Sequence, residues 1–272
     1  MPARHPERIV CLTEETTETL YLLGEERRIV GISGYTVRPP RARREKPRVS
    51  AFLSARTDKI IELKPDLVLG FSDLQADISK DLVKAGLNVV IFNQRSVEEI
   101  LSMILVLSSL VGATDKGMQL LASLEKNLSY IKAASKAFKR RPRVYFEEWD
   151  EPMISGIRWV SELIEIAGGE DVFSKRSFSQ SASGRIIADP QEVVNSKPDV
   201  IIGSWCGKKF RPERVASRPG WNEIPAVRER QLHEIKSADI LQPGPAALTD
   251  GVKRIHEILK ASLAKQSGAA AN

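Results

Sequence analysis

Cysteine and histidine are scarce in this chain of 272 residues, which has two cysteines and three histidines. Cys11 and Cys206 are far apart, and neither has another cysteine or a histidine at the spacing of a metal site. His5, His233 and His256 are scattered and form no nucleophile–base arrangement. The sequence thus excludes a disulfide scaffold and a zinc knuckle, and we expect no resident metal and no required cofactor.

Long apolar runs are also missing. No stretch approaches the roughly 18 uncharged apolar residues of a membrane-spanning helix, so the sequence predicts no transmembrane segment. The opening residues, MPARHPERIVCL, contain no apolar run after basic residues of the kind found in secretory signals. We therefore expect a cytoplasmic protein from the sequence as it stands, and a periplasmic one if an export signal has been omitted.

The motifs of common enzyme classes are absent as well. The chain has no Gly-rich phosphate loop and no Gly-x-Ser-x-Gly elbow. Positive charge is concentrated in the segments 38–48 and 136–143, although the whole chain carries only +6. The rest of the chain, outside these two segments, is slightly acidic, which argues against a nucleic-acid-binding face. Three prolines mark the segment 38–48 as a loop, most of whose side chains should be solvated.

An internal repeat is present. The heptapeptide KPDLVLG at 64–70 recurs as KPDVIIG at 197–203. Each copy follows a stretch with apolar residues at helical spacing, and its proline ends that helix. The run of Leu, Val and Ile that follows is typical of a strand buried on both faces. Arg8-Ile9-Val10 and Arg143-Val144-Tyr145 correspond at nearly the same offset. The sequence therefore predicts an α/β protein with two similar parallel-sheet lobes.

The pattern places strands and helices in alternation, which predicts parallel sheets with crossover helices. The predicted strands are 8–12, 29–33, 67–70, 88–92, 143–148, 200–203 and 232–235. The predicted helices are 17–23, 57–63, 75–85, 157–167 and 190–196.

The segment between the lobes, 97–141, contains no proline. An apolar stripe with steps of three and four predicts a helix over 117–139, about 35 Å long, that joins the lobes as a single long rigid connector. The predicted organisation is an N-terminal lobe at 1–96, the helical connector, a C-terminal lobe at 142–264 and a disordered tail at 265–272.

Aromatic residues follow the predicted strands. Tyr35, Phe71, Trp149 and Trp205 each come just after a strand. Ligands of open parallel sheets bind outside the carboxyl ends of the strands, and aromatic rings suit a large, partly apolar ligand. A single such residue is often only a lid over a core. Their recurrence in both lobes favours a ligand-binding cleft.

Charged residues in the second lobe suggest polar ligand contacts. In the acidic run 147–151, strand alternation places Glu148 on the opposite face from Glu147, so we expect Glu148 alone to bond the ligand. Arg158 lies at the start of a predicted helix. It is our candidate for binding an anionic group of the ligand. Trp159 lies at helical spacing from the apolar residues that follow it, which predicts that it packs in the core.

Several short motifs, in order, resemble one family over residues 8–260: the substrate-binding proteins of cobalamin, haem and ferric-siderophore ABC importers. The motifs are Arg8-Ile9-Val10, Val30-Gly31-Ile32-Ser33 with Tyr35 and Pro39-Pro40, Ile61 to Val68, Ile154-Ser155-Gly156, Ala167-Gly168-Gly169 with Val172-Phe173, and Pro243-Gly244-Pro245. The sequence is most similar to the cobalamin-binding branch. The resemblance implies two lobes joined by one long helix.

The resemblance also implies roles for individual residues. The positions that match the aromatic ligand contacts are Tyr35, Phe52, Phe71, Trp149 and Trp205, and Phe52 stands where the branch often has tryptophan. Members dock on a permease through one acidic residue per lobe. The matching positions are Asp58 in the first lobe and Gln191, with Glu192 adjacent, in the second.

These observations predict a non-enzymatic, monomeric binding protein for a corrinoid or similar cobalt- or iron-containing chelate, with a possible ABC permease as partner. Haem or a ferric siderophore is the alternative ligand. The alternative from another class is an enzyme that acts on a tetrapyrrole, with Glu148 or Asp150 as the acid or base.

Overall fold

The structure, a computed structural model, describes residues 5–269. The chain divides into two compact units. Unit 1 comprises residues up to 94, 98–124 and 243–245, and unit 2 comprises 95–97, 125–242 and 246 onwards. The segment 97–141, which we expected to be a separate connector, is therefore divided between the two units.

Unit 1 is built on a six-stranded sheet with the order β4-β3-β2-β1-β5-β6, in which only the β3/β4 pair is antiparallel. The strands are β1 (Ile9–Cys11), β2 (Ile29–Ser33), β3 (Arg48–Ala51), β4 (Ser54–Ala55), β5 (Leu67–Phe71) and β6 (Val89–Phe92). The helices that connect them are α1 (Glu14–Leu22), α2 (Ala42–Glu45), α3 (Thr57–Glu62) and α4 (Ala76–Lys84). Short 3₁₀ turns cover Glu26–Arg28 and Asp73–Gln75.

Two longer helices follow, α5 (Val97–Leu110) and α6 (Thr114–Ser135). The helix predicted over 117–139 thus begins and ends earlier than expected. It begins at Thr114 because Gly112, at a φ of +71°, ends the preceding helix. The division between the units falls within α6, between Leu124 and Glu125.

Unit 2 is built on a five-stranded sheet with the order β11-β10-β7-β8, in which β9 also pairs with β7. Only the β7/β8 pair is antiparallel. The strands are β7 (Arg143–Asp150), β8 (Met153–Ser155), β9 (Glu170–Asp171), β10 (Val200–Gly203) and β11 (Leu232–Glu234). The helices are α7 (Arg158–Ile166), α8 (Ser174–Ser177), α9 (Gln191–Ser196), α10 (Pro212–Ala216), α11 (Pro225–Arg228), α12 (Ser237–Ile240) and α13 (Val252–Ala269). Two 3₁₀ turns, Ser183–Arg185 and Trp221–Glu223, and a π-helical stretch, Ala247–Gly251, complete the unit.

The sequence repeat is also a structural repeat. Lys64 and Lys197 both adopt a φ of +46°, although neither is glycine. In each unit the backbone N–H of the aspartate two residues later donates to the carbonyl of the arginine at the start of the lobe, at 2.9 Å in unit 1 and 2.8 Å in unit 2. The same turn therefore leads from a helix into a buried parallel strand in both units, β5 and β10.

Two expectations need correction. The strands β3, β4, β8 and β9 were not predicted, because none of them exceeds four residues and none has the long apolar run of a central strand. The tail was expected to be disordered from 265 on, but α13 continues to Ala269 because no proline interrupts it. Residues 270–272 lie outside the described part of the chain.

No helix within residues 5–269 is both long enough and apolar enough to cross a membrane.

Candidate functional site

The carboxyl ends of the strands of unit 1 carry the three aromatic residues that sequence analysis selected there. Tyr35 follows β2 and is exposed, while Phe52 follows β3 and is half-buried. Phe71 is the last residue of β5 and is only 7% exposed, because its strand lies between β1 and β6 and pairs with Phe92. Tyr35 and Phe52 are therefore accessible to a ligand, whereas Phe71 belongs largely to the core.

A buried amide ties two of these positions together. The side chain of Gln75, which is fully buried, accepts a hydrogen bond of 3.0 Å from the backbone N–H of Phe71 through Oε1. Its Nε2 donates at 3.0 Å to the carbonyl of Phe52. Gln75 thus fixes the β3–β4 turn to the end of β5, and we call this arrangement the Gln75 clamp. Sequence analysis did not identify Gln75, since a glutamine after a strand carries no distinctive signal.

Two leucines beside the clamp are exposed. Leu53 follows Phe52 in the β3–β4 turn and is 68% exposed, and Leu74 precedes Gln75 and is 59% exposed. Neither leucine was predicted as a site residue, because neither is aromatic or charged. A leucine in a polar turn just after a strand was the signal that could have identified both.

A cavity of 460 Å³ opens at the carboxyl ends of β5 and β6. It is lined by Ser72, Asp73, Ala76, Ser79, Lys80, Ile91 and Asn93. Ser72 has a φ of +68°, and its Oγ accepts a hydrogen bond from the backbone N–H of Leu74 at 3.2 Å. This turn directs the chain away from the sheet and into α4.

The N-terminal end of α1 lies beyond the carboxyl end of β1 and carries three carboxylates that sequence analysis did not select, Glu14, Glu15 and Glu18. Burial, followed by the charges of the other two, raises the pKa of Glu14 to about 8. Burial also raises the pKa of Glu15 to about 7, although the hydroxyl of Thr13 bonds its Oε1 at 2.5 Å. The segment 243–245 contributes to this burial, since a methyl group on Gly244 would lie 2.6 Å from Cβ of Glu15.

In unit 2, the strand β7 carries a fully buried carboxylate, Glu147. It accepts hydrogen bonds from the hydroxyl of Tyr145 at 2.9 Å and from Nε1 of Trp205 at 3.1 Å. The guanidinium of Arg218 donates to both of its oxygens, at 2.5 and 3.0 Å. Tyr145 and Glu147 thus share one face of the strand, as predicted, and the buried charge is fully paired.

A lysine contacts both Trp149 and Trp205. Trp205 follows β10 as predicted, but Trp149 lies within β7, which continues to Asp150 because it pairs with β8. Nζ of Lys208 lies 5.3 Å from the ring centre of Trp149 and 5.2 Å from that of Trp205, which are cation–π distances. The same ammonium group donates to both oxygens of the buried Asp150, at 2.8 and 2.7 Å. Asp150 is thereby held as an ion-pair partner, which does not match the role of a free acid or base.

The two tryptophans differ in accessibility. Trp205 is only 3% exposed and packs edge-to-face on Phe210, with ring centres 5.0 Å apart. Trp149 is partly exposed and donates from Nε1 to the carbonyl of Glu151 at 2.9 Å. The ring of Trp149 is therefore partly accessible to solvent, whereas Trp205 belongs to the core.

The two side chains of unit 2 that were predicted to make polar ligand contacts are both bonded to other residues of the protein. Glu148 is held by two hydrogen bonds from the nearly buried Arg185, at 2.5 and 3.1 Å. Arg158, the first residue of α7, donates to Glu162 at 2.8 Å and lies 5.2 Å from the ring centre of the exposed Phe178. Trp159 is buried and bonds the carbonyl of Ile240 at 2.9 Å, so its predicted core role is confirmed.

The three positions matched to permease docking lie in the first turns of α3 and α9, the helices before the two repeat motifs. Asp58 and Gln191 are exposed. Glu192 is partly buried and bonds Arg176 at 2.5 Å, whereas Gln191 bonds Asn195 at 3.1 Å. Among residues 5–269, no group of three or more His, Cys, Asp or Glu is arranged to hold a metal ion.

A family model and several known proteins are similar to this chain. The family model described as "Periplasmic binding protein" matches residues 9–238. The ABC transporter substrate-binding lipoprotein YvrC of Bacillus subtilis, itself uncharacterised, is 26% identical over 260 residues, which are 93% of this chain and 80% of that protein. The vitamin B12-binding protein of Vibrio parahaemolyticus is 25% identical over 252 residues, 89% of this chain and 86% of that protein.

Solved structures give the same fold. The periplasmic haem-binding protein RhuT of Roseiflexus superposes with a TM-score of 0.79 over 93% of this chain and 99% of its own, at 22% identity. The family model covers well over half of the chain, and the predicted repeat, parallel sheets and strand-end aromatics are all present in the structure. The chain therefore belongs to the periplasmic binding protein family.

Proposed function

We propose that this protein binds a corrinoid or a similar metal chelate without changing it and delivers it to an ABC importer. The observation that carries the proposal is the similarity, over 89% of the chain, to a protein named as vitamin B12-binding. Such a ligand carries its own metal, so the proposal requires no metal site in the protein.

The ligand contacts of the proposal lie at the carboxyl ends of the strands in each unit. Tyr35 and Phe52 of unit 1 and Trp149 of unit 2 are the accessible aromatic residues among the five that sequence analysis selected. Arg158 and Glu148 of unit 2 contribute polar contacts to the ligand. Phe71 and Trp205 act by holding neighbouring residues in place, because both are almost completely buried.

A binding role fits the state of the acidic groups better than catalysis does. Both acids of the enzyme alternative are engaged by cations, Glu148 by Arg185 and Asp150 by Lys208. A general acid or base has to reach the substrate with a carboxylate oxygen, and both oxygens of each of these carboxylates are already bonded by a cation within the protein. These ion pairs support a surface of fixed shape.

Permease docking is part of the proposal. Asp58 supplies an exposed carboxylate at the start of α3. At the corresponding start of α9, Gln191 is exposed and uncharged, and Glu192 is paired with Arg176. We propose that Asp58 contributes the principal charged contact and that α9 docks chiefly through hydrogen bonds.

The proposed location is the periplasm or the outer face of a membrane, the second of the alternatives that the sequence left open. A lipoprotein and proteins named as periplasmic are among the similar proteins. Fractionation of the natural host tests this, because recovery in the cytoplasm alone would contradict it.

The experiment that tests the function separates binding from turnover. Purified protein is incubated with cyanocobalamin, haemin or a ferric siderophore, dialysed, and denatured to release what it holds. We expect one of these ligands to be retained and to be recovered with its mass and absorption spectrum unchanged. A chemically altered product would support the enzyme alternative, and retention of none of them would overturn the proposal.

A further inference from the structure

We infer that unit 2 has a second binding site, for a phosphate dianion, in a cavity at the edge of its sheet where the strands begin. The residues that form it are Lys132, Lys136, Arg141 and Glu165, which line one cavity. The site is independent of the proposed chelate ligand. The phosphate group belongs either to inorganic phosphate or to the headgroup of a phospholipid.

The cavity lies away from the surface proposed to bind the chelate. It has a volume of about 440 Å³. Arg141 comes two residues before β7, and Gly168 comes two residues before β9, which runs parallel to β7. Trp149 lies near the other end of β7, and roughly 20 Å of strand separates it from Arg143. The cavity and the accessible tryptophan are therefore at opposite edges of the sheet.

The lining of the cavity carries an excess of positive charge. Three of its residues are cations and one, Glu165, is an acid, which gives three minus one, or a net charge of +2. Arg141 donates to Glu165 and to the carbonyl of Gly169, so its charge is already paired. Within residues 5–269, neither Lys132 nor Lys136 takes part in an ion pair. The excess charge therefore resides on two ammonium groups that face the same space.

Capping of α6 is the alternative explanation for the two lysines, because cations are favoured at the carboxyl end of a helix. It requires their ammonium groups to bond the last carbonyls of α6. The carbonyls of residues 133–135 instead accept from the backbone N–H groups of residues 136–138. The carbonyl of Lys132 accepts from the hydroxyl of Ser135 at 2.9 Å. The ammonium groups are therefore not used as caps.

The helix dipoles oppose an anion here but do not outweigh the lysines. Two helices, α6 and α7, end beside the cavity. Each helix end carries a partial charge of about −0.5, so the two together contribute about one negative unit. This is smaller than the +2 of the lining side chains. The cavity keeps a positive potential, which favours an anion.

The floor of the cavity is preformed. Gly168 has a φ of +98°, and a methyl group on it would lie 2.7 Å from Cβ of Ser135 and 2.8 Å from the ring of Phe138. The Phe138 ring stacks on that of His256, with ring centres 5.1 Å apart. Nδ1 of His256 lies 3.0 Å from the carbonyl oxygen of Ala167, within hydrogen-bond distance. A fixed floor reduces the entropy that is lost when a ligand binds.

The monohydrogen phosphate dianion matches the groups of this cavity. Its unprotonated oxygens accept from the ammonium groups, and lysine is a common ligand of phosphate. Its P–OH group donates to Oε1 of Glu165, which accepts no hydrogen bond in the described part of the chain because Arg141 bonds Oε2. Sulfate has the same charge and shape but no proton to donate, so it meets only repulsion from Glu165. The site should therefore prefer phosphate to sulfate.

The test is a calorimetric titration of the full chain with inorganic phosphate and with sulfate, at pH 8 and constant ionic strength. Lys132→Gln with Lys136→Gln removes the proposed contacts. Lys126→Gln with Lys139→Gln is the control, because it removes the same charge from exposed lysines that do not line the cavity. We expect the control to match wild type and the first variant to bind phosphate at least about tenfold more weakly.

A third variant tests the role of the acid. Glu165→Gln removes the negative charge that discriminates between the two anions, so its affinities for phosphate and sulfate should become equal. Circular dichroism of every variant verifies that it is folded. Equal affinity of wild type for phosphate and sulfate would overturn the inference, because it would show attraction by charge alone.

Vesicles distinguish the two sources of the phosphate group. Vesicles that contain phosphatidic acid are compared with vesicles of phosphatidylcholine alone. Binding of inorganic phosphate identifies a soluble anion, whereas binding of phosphatidic acid vesicles alone, lost in the Lys132/Lys136 variant, identifies the lipid headgroup. The inference is overturned if neither source binds, or if the two double variants have the same affinity. Retention of a metal chelate does not depend on this cavity, so such a failure leaves the proposed function standing.

Discussion

Nζ of Lys208 lies 2.7 Å from Oδ2 of Asp150, and the same ammonium group faces the rings of Trp149 and Trp205 at cation–π distance. The buried carboxylate fixes the cation, and the cation in turn fixes the two rings. One ring is accessible and the other is buried, so the two tryptophans should respond differently to substitution.

Replacement of the two tryptophans by alanine tests this difference. We expect Trp149→Ala to fold normally and to lose about 1–3 kcal/mol of ligand binding free energy, because it removes an accessible stacking surface. Trp205→Ala should destabilise the fold by about 3–5 kcal/mol, since it opens a cavity beside Phe210 and removes a bond to Glu147. Urea denaturation and ligand titration of both variants provide the measurements. Equal loss of stability in the two would contradict the assignment.

Arg218 should be essential for stability. Its guanidinium is the cationic partner of the fully buried Glu147, so Arg218→Met leaves a charge without compensation in the core. We expect a loss of about 3–5 kcal/mol in the free energy of unfolding. Tyr145→Phe, which removes only one neutral donor to the same carboxylate, should cost about 1 kcal/mol. Equal stability of the two variants in urea denaturation would contradict this role of Arg218.

The acidic start of α1 should make stability depend on pH. The pKa of Glu15 is about 7 in the folded protein, above the value near 4.3 of an unfolded chain. Because the folded pKa is raised, the folded state holds more protons than the unfolded state between about pH 4.5 and 7. Stability is therefore lost as pH rises through this window. We expect Glu15→Gln to be about 3–4 kcal/mol more stable than wild type at pH 8 and about equal to it at pH 4.

The control for Glu15→Gln is Glu98→Gln, at an exposed position on α5. Its stability relative to wild type should be the same at both pH values. A gain for Glu15→Gln that did not change between pH 4 and pH 8 would show that its carboxylate is not destabilising in the folded protein.

The aspartates of the two repeat motifs, Asp66 and Asp199, can be compared by the same substitution in each unit. Asp199 accepts hydrogen bonds from the backbone N–H of Arg143 at 2.7 Å and from Arg140 at 2.6 and 2.9 Å. Burial would raise its pKa, but the bonds from Arg140 and Arg143 lower it overall. The stabilisation is thus present above the unfolded pKa of about 3.9 and is lost as pH falls through the lower folded value.

We therefore expect Asp199→Asn to cost about 1–2 kcal/mol at pH 7 and almost nothing near pH 2, as measured by urea denaturation. Asp66→Asn is the matched change in unit 1, where Asp66 accepts from the backbone N–H groups of Glu7 and Arg8 at 2.8 and 2.9 Å. Its cost should be smaller, because no side-chain cation is bonded to Asp66 within the described residues. A larger cost for Asp66→Asn would contradict this account of the repeat.

The parts of the fold that sequence could predict are those with a local signal. Lys64 and Lys197 precede prolines in identical tripeptides, and the turns that they form are the same in both units. The central strands β5 and β10 have buried apolar runs and were located to within one residue. The strands β3 and β4 are short and carry polar residues, so their pairing depends on the sheet that they join and not on their own sequence.

The site was harder to predict because burial is a tertiary property. Trp205 follows β10 as predicted, whereas Phe71 is the last residue of β5 and does not follow it. The burial of each ring depends on a neighbour far away in the chain, Phe92 for Phe71 and Glu147 for Trp205. The same holds for Gln75, whose role is visible only when its amide is seen between Phe52 and Phe71.

The most direct test of the central claim is a calorimetric titration of the wild-type protein with cyanocobalamin, with haemin and ferric citrate titrated in parallel. The account predicts saturable binding of one macrocycle per chain, with a dissociation constant in or below the micromolar range. No saturable binding of either macrocycle by the folded protein would contradict it.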